Sequence, residues 1–141
     1  MFARNSLMSR LALTEFLLRR HVNAAFAASG YDCTPDEWSA ICLLNEIGPC
    51  SLTALAHANG RDKTTVSRMV DRLEDKGIVK RARDHENRRK VQIALSPVGE
   101  RRFQALAVIA GAKLVQALSD VDESDLNVSL RVMAQIEENL R

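Results

Sequence analysis

Apolar residues recur along this chain in two rhythms, and the place where one gives way to the other divides it. From Leu7 to about Ala28, the positions Leu7, Leu11, Leu18, Val22 and Phe26 fall at spacings of four and seven, the mark of a long helix with one apolar stripe. Gly30 ends that helix. Thr34-Pro35-Asp36-Glu37 starts the next: Thr34 caps, Pro35 suits the first helical position, and the two acids complement the positive helix end. This second helix is predicted from Pro35 to about Ile47, where Gly48-Pro49 breaks it. A third, capped by Ser51 and reaching about Asn59, places Leu52, Leu55 and Ala56 on one face. After the Asn59-Gly60 turn, Asp62 caps a fourth helix whose Val66, Met69, Val70 and Leu73 step by three and four onto a buried side, and Lys76-Gly77 closes it.

Beyond Gly77 the period shortens to two. Ile78 to Arg83 reads as a strand, and Val91, Ile93 and Leu95 alternate with Gln92 and Ala94 as a second, half-buried one. The segment between them, Asp84 to Arg89, has no apolar residue to anchor it, so the strands form a hairpin with a projecting charged tip, a wing. The helical rhythm then returns. Ser96-Pro97 launches a helix to about Leu118 with Phe103, Leu106, Ala110, Leu114 and Ala117 on one stripe, Asp120 to Asp122 interrupts, and Glu123 to Leu140 carries Leu126, Leu130, Met133 and Leu140. The expected fold is mainly α with a small β-hairpin wing: a winged helix-turn-helix core over 35–96, flanked by terminal helices over 1–30 and 97–141.

Length and composition narrow this only a little. A chain of 141 residues fits one domain. Aromatic residues make up 4%, so Leu, Val, Ile and Ala must build the interior. No stretch approaches the roughly 20 apolar residues needed to span a bilayer, so no membrane association is expected. Cys33, Cys42 and Cys50 match neither a metal clip nor a disulfide framework, which fits a reducing cytoplasm. His21, His57 and His85 lie far apart without metal-ligand companions, and no nucleophile elbow, phosphate loop or dinucleotide fingerprint occurs. No catalytic site, metal or cofactor is expected.

Charge changes the picture more. Between Arg61 and Lys90 lie 11 of the 20 Lys and Arg residues but only 6 of the 18 Asp and Glu residues, a local net charge of +5 against −3 elsewhere. A concentrated basic segment of this kind suits a contact with phosphate backbone. Within it, the polar side of the fourth helix presents Thr64, Thr65, Ser67 and Arg68 in its first two turns, where a recognition helix approaches base edges, while Lys63 and Arg72 suit phosphate. Any amphipathic helix has a polar face, but here the hairpin immediately downstream adds Arg81, Arg83, Arg88, Arg89 and Lys90, placed to reach the neighbouring minor groove.

The run SLTALAHANGRDKTTVSRMVDRLEDKGIVKRARDHENRRKVQIALSPVGE resembles the MarR family of bacterial regulators, with its helix-turn-helix, its "dRLEdKG" helix end, its arginine-bearing wing and its "LSpxG" exit. The resemblance covers essentially the whole chain and is closest over Pro35 to Arg102. It implies an obligate homodimer of the terminal helices on double-stranded DNA, an operator with two-fold symmetry, usually repression, and often release by a small molecule or oxidant. Carried over by position, the DNA-contacting helix residues fall on Lys63, Thr64, Thr65, Ser67 and Arg68, and the wing-tip arginine on Arg88 or Arg89. One departure is that Asn87 stands where the family commonly has Asp before its arginine pair, which removes a charge that would hold a guanidinium. The family's effector cleft would place Phe16, Arg19, Arg20, Trp38 and Cys42 as candidate contacts for a small aromatic or other effector, although the residues themselves favour Phe16 and Trp38 as core and Arg19 and Arg20 as solvated. Two alternatives remain open: a winged helix that binds protein, and a thiol-based redox sensor at Cys33, against which stands the commoner role of an isolated cysteine as an inert packing residue.

Overall fold

The computed structural model describes residues 2–141, with side chains placed from Ser6 onward. Its elements run α1 (Phe2–Ala28), α2 (Pro35–Ile47), α3 (Leu52–Asn59), α4 (Lys63–Asp75), β1 (Val79–Arg83), β2 (Val91–Leu95), α5 (Pro97–Ala117) and α6 (Glu123–Leu140). The fold is mainly helical, with the two strands paired antiparallel from Val79↔Leu95 to Arg83↔Val91 as a wing.

Local chemistry sets the helix boundaries. Thr34 and Glu37 form a reciprocal capping box at the head of α2. Ser51, Asp62 and Ser96 each accept the hydrogen bond of a backbone N–H three residues on, starting α3, α4 and α5. At the end of α4 the Gly77 N–H donates to the Glu74 carbonyl and the Ile78 N–H to the Leu73 carbonyl, a closure that requires the left-handed φ of 74° that Gly77 supplies. That closure takes Ile78 out of the strand, so β1 begins at Val79. At the other end of the chain α1 begins at Phe2, ahead of its apolar stripe, because no Gly or Pro precedes Gly30 to stop it.

One core forms where the helices converge. Leu55, Val66, Val70 and Leu73 of the helix-turn-helix are fully buried, joined by Ile41 of α2, Ile78, Ile93 of the wing, Phe26 of α1 and Leu106 of α5. Trp38 stacks on Phe103 at 5.7 Å and meets the edge of Phe26 at 5.3 Å, which ties α2 to both long helices. A short bridge completes the sheet: Cys50 exchanges both backbone hydrogen bonds with Ile93. Ser96 and Gly99 knot the junction between α4 and β1 to α5. The Ser96 hydroxyl lies 2.5 Å from the Gly77 carbonyl, and Gly99 passes so close to the Ile78 carbonyl that a Cβ there would strike it.

The terminal helices behave differently. Of the α1 stripe only Phe26 is buried, while Leu7 is exposed; α5 buries Leu106 and Ala110 but leaves Val108, Leu114 and Val115 in the open. None of the 18 residues of α6 is buried. No helix among the described residues is long and apolar enough to cross a membrane.

Candidate nucleic-acid interface

At about 100° per residue, the inward positions Val66, Met69, Val70 and Leu73 fix the outward face of α4: Thr64, Arg68, Asp71 and Asp75 stand along its crest. Lys63 and Ser67 lie on the flank toward β1, Thr65 and Arg72 on the flank toward α2. Among the described residues, Lys63 and Arg68 engage no carboxylate, so both cations remain available to an anionic partner.

Two of the expected contacts are already committed within the chain. The Thr65 hydroxyl donates to Asp62 at 2.6 Å while the Thr65 N–H donates to the other carboxylate oxygen at 3.0 Å. The side-chain bond, then the backbone ones, hold the Asp62 carboxyl below its ordinary range. Thr65 therefore serves as part of the cap, and toward DNA its hydroxyl can only accept. Arg72 turns toward α2, its Nε 3.6 Å from a Glu37 oxygen. Lys76 lies 2.8 Å from the other Glu37 oxygen; partial burial opposes its charge, but the hydrogen bond and field of Glu37, with those of Asp32, outweigh that and raise its pKa.

The wing divides into a stem and a tip. Arg81, grouped by sequence with the wing cations, is 2.8 Å from Asp71 and 3.6 Å from Glu74, so it fastens β1 to α4. Arg83, Arg88, Arg89 and Lys90 are exposed and, among the described residues, engage no carboxylate. The tip is ordered by its own side chains: Asp84 accepts from the Glu86 N–H at 3.0 Å and Asn87 from the Arg89 N–H at 3.1 Å. Asn87 thus shapes the turn through its amide oxygen, without the charge that Asp would bring.

The five candidate effector contacts separate. Arg19 and Trp38 line a cleft of about 190 Å³ between α1, α2 and α5, together with Val22, Phe26, Ala110 and Leu114. Phe16 is 56% exposed, one turn beyond it. Arg20 faces another groove with His21 and Lys113, and Cys42, half-buried on α2, does not line the cleft. Those three therefore do not join Arg19 and Trp38. Arg19 is itself held by Glu15 and Asp36. The missed lining residues Asn23 and Ser39 were marked only by their place one helical turn from Arg19 and Pro35. Burial pushes the Cys33 and Cys42 thiols up to about 11 and raises that of Cys50, which keeps all three protonated and weakly nucleophilic at neutral pH.

A helix-turn-helix with cations free on its second helix, followed by a hairpin with a cationic tip, is the construction of winged helix-turn-helix DNA-binding proteins. The profile of the MarR family matches residues 33–91. The transcriptional regulator YfiV of Bacillus subtilis is 26% identical over 78% of this chain and 71% of its own, and the transcriptional repressor MdtR of the same organism is 26% identical over 73% and 66%. The solved structure of a MarR family protein from Bacillus stearothermophilus superposes with a TM-score of 0.77 over 98% of this chain and 95% of that one, at 22% identity. Residues 33–91 thus match the MarR family, and over most of its length the chain is similar to helix-turn-helix transcriptional regulators.

Proposed function

We propose that the protein acts in the cytoplasm as a homodimer that represses transcription from a palindromic operator. Residues 35–96 form the DNA-binding core, and 1–30 with 97–141 the dimerisation helices. Thr64, Ser67 and Arg68 approach base edges, with Thr65 as an acceptor. Lys63 and Arg83 serve phosphates, Arg72 does so only through the exposed guanidinium nitrogens that its Nε contact with Glu37 leaves over, and Arg88 and Arg89 serve the minor groove. The carrying observation is a coincidence on one small chain: free cations on α4 and the wing, and an α6 that buries none of its residues. The apolar stripe of α6, left open, suits a partner, and a second copy related by two-fold symmetry would set two recognition helices about 34 Å apart, one turn of DNA. The relative MdtR, a repressor, favours repression over activation. The cleft at Arg19 and Trp38 suits a small aromatic effector that releases DNA.

Selection of bound duplexes from a random pool tests this reading. An enriched inverted repeat is expected, with affinity falling steeply as salt rises and with Arg68→Ala and Arg88→Ala each weakening binding. A folded protein that enriches nothing and ignores salt would instead be a protein-binding winged helix.

A further inference from the structure

The geometry assigns Asp36 and Glu37 a positioning role: side by side in the first turn of α2, they clamp both ends of α4 and so set the angle at which it meets DNA. The inference rests on α4 being the DNA-reading helix. Apolar burial along Val66, Val70 and Leu73 fixes how deep α4 sits, but such contacts are non-directional and tolerate sliding. Direction comes from the polar anchors. Ahead of α4, Asp36 accepts from Arg61, one residue before the cap, at 2.8 Å. At its far end, Glu37 takes Lys76 at 2.8 Å and Arg72 at 3.6 Å, and Lys76 also donates to the Asp32 carbonyl at 3.0 Å.

The anchor itself does not move freely. Glu37 is 1% exposed, so its charge must stay paired, and its capping box with Thr34 fixes which way the carboxylate faces. Trp38, the next residue, is packed between Phe26 and Phe103, while Asp36 is also held by Arg19 of α1 at 3.3 Å. One helical turn therefore transmits the placement of the long helices to both ends of α4. A tilt of α4 against α2 must lengthen one of these contacts.

The test uses the full chain, the duplex that wild type selects, and an unrelated duplex at the same salt. Glu37→Gln keeps the shape and the acceptor for Thr34 but removes the charge, and Lys76→Met keeps the hydrocarbon stem. Each is expected to lower affinity for the selected duplex about tenfold, with affinity for the unrelated duplex changed less than about twofold, and the double variant should be no weaker than the weaker single one. Asp36→Asn, on a more exposed pair, should cost about threefold. Folded Glu37→Gln and Lys76→Met proteins that keep their affinity for the selected duplex within twofold overturn the clamp. So does an equal loss on both duplexes, which would mean a lost charge and not a lost angle. Should Glu37→Gln fail to fold, Lys76→Met decides alone, since the Lys76 side chain is 28% exposed. A wild type that prefers no duplex overturns the DNA reading itself, a result distinct from either.

Discussion

The helix-turn-helix and the terminal helix α6 are built from the same aliphatic residues, yet they end in opposite conditions. Leu55, Val66, Val70 and Leu73 are sealed from solvent, whereas Leu130 and Val132 are about half exposed at 54% and 51%. Periodicity tells which face of a helix is apolar and nothing about what covers it. In the core, α3, α4 and the wing fold over one another within about 45 residues and close the cover from within. The stripe of α6 follows the long α5 and lies beyond the core's reach.

This contrast is sharpest for truncation of a leucine. Leu73→Ala is expected to cost about 2–5 kcal/mol in urea unfolding, while Leu130→Ala should change the stability of an isolated subunit by less than about 0.5 kcal/mol. Comparable losses would erase the distinction between the regions. Gly99→Ala comes next, since its methyl falls on a backbone oxygen that cannot move without disturbing the wing, and about 1–3 kcal/mol should be lost on thermal unfolding. Leu130→Glu with Met133→Glu should leave helical content intact but turn the light-scattering mass from dimer toward monomer at micromolar concentration; an unchanged mass would show that α6 is covered by something other than a second copy.

Proton-linked effects are smaller. The raised pKa of Cys33 and Cys42 means that their contribution to stability is present below the unfolded thiol pKa and is lost as pH rises through about 11. Alkylation at pH 8 should therefore be slow in the folded protein and fast in urea, and rapid labelling of native protein would contradict the burial. Asp62 has the opposite sign: its stabilisation is present above the ordinary carboxylate pKa and fades as pH falls through the lowered folded value. Asp62→Asn should flatten that acid dependence, read as amide exchange in the first turn of α4.

Much of the fold was legible because its signals are local. The caps at Thr34, Ser51, Asp62 and Ser96 each act over three residues, and Gly77 announces the end of α4. The bridge from Cys50 to Ile93 and the pair of Glu37 with Lys76 join residues about 40 positions apart, and no spacing rule reveals such partners. The candidate interface divides the same way. Lys63, Thr64 and Arg68 stand exposed on α4 as their helical phase requires, but the commitments of Thr65 to Asp62, Arg72 to Glu37 and Arg81 to Asp71 follow from side-chain reach within the folded chain. On α1, Arg20 differs from Arg19 by one residue, and the 100° between them sends it to a different groove.

The pairing of Glu37 with Lys76 also constrains how this molecule can drift. Exchanging Lys76 alone for an uncharged residue leaves the buried Glu37 carboxylate with only the longer contact of Arg72, and exchanging Glu37 alone leaves Lys76 to the exposed Asp32. Descendants should therefore replace the two in concert, by reversal or by a matched apolar couple, so that a mutational path through this joint advances in double steps.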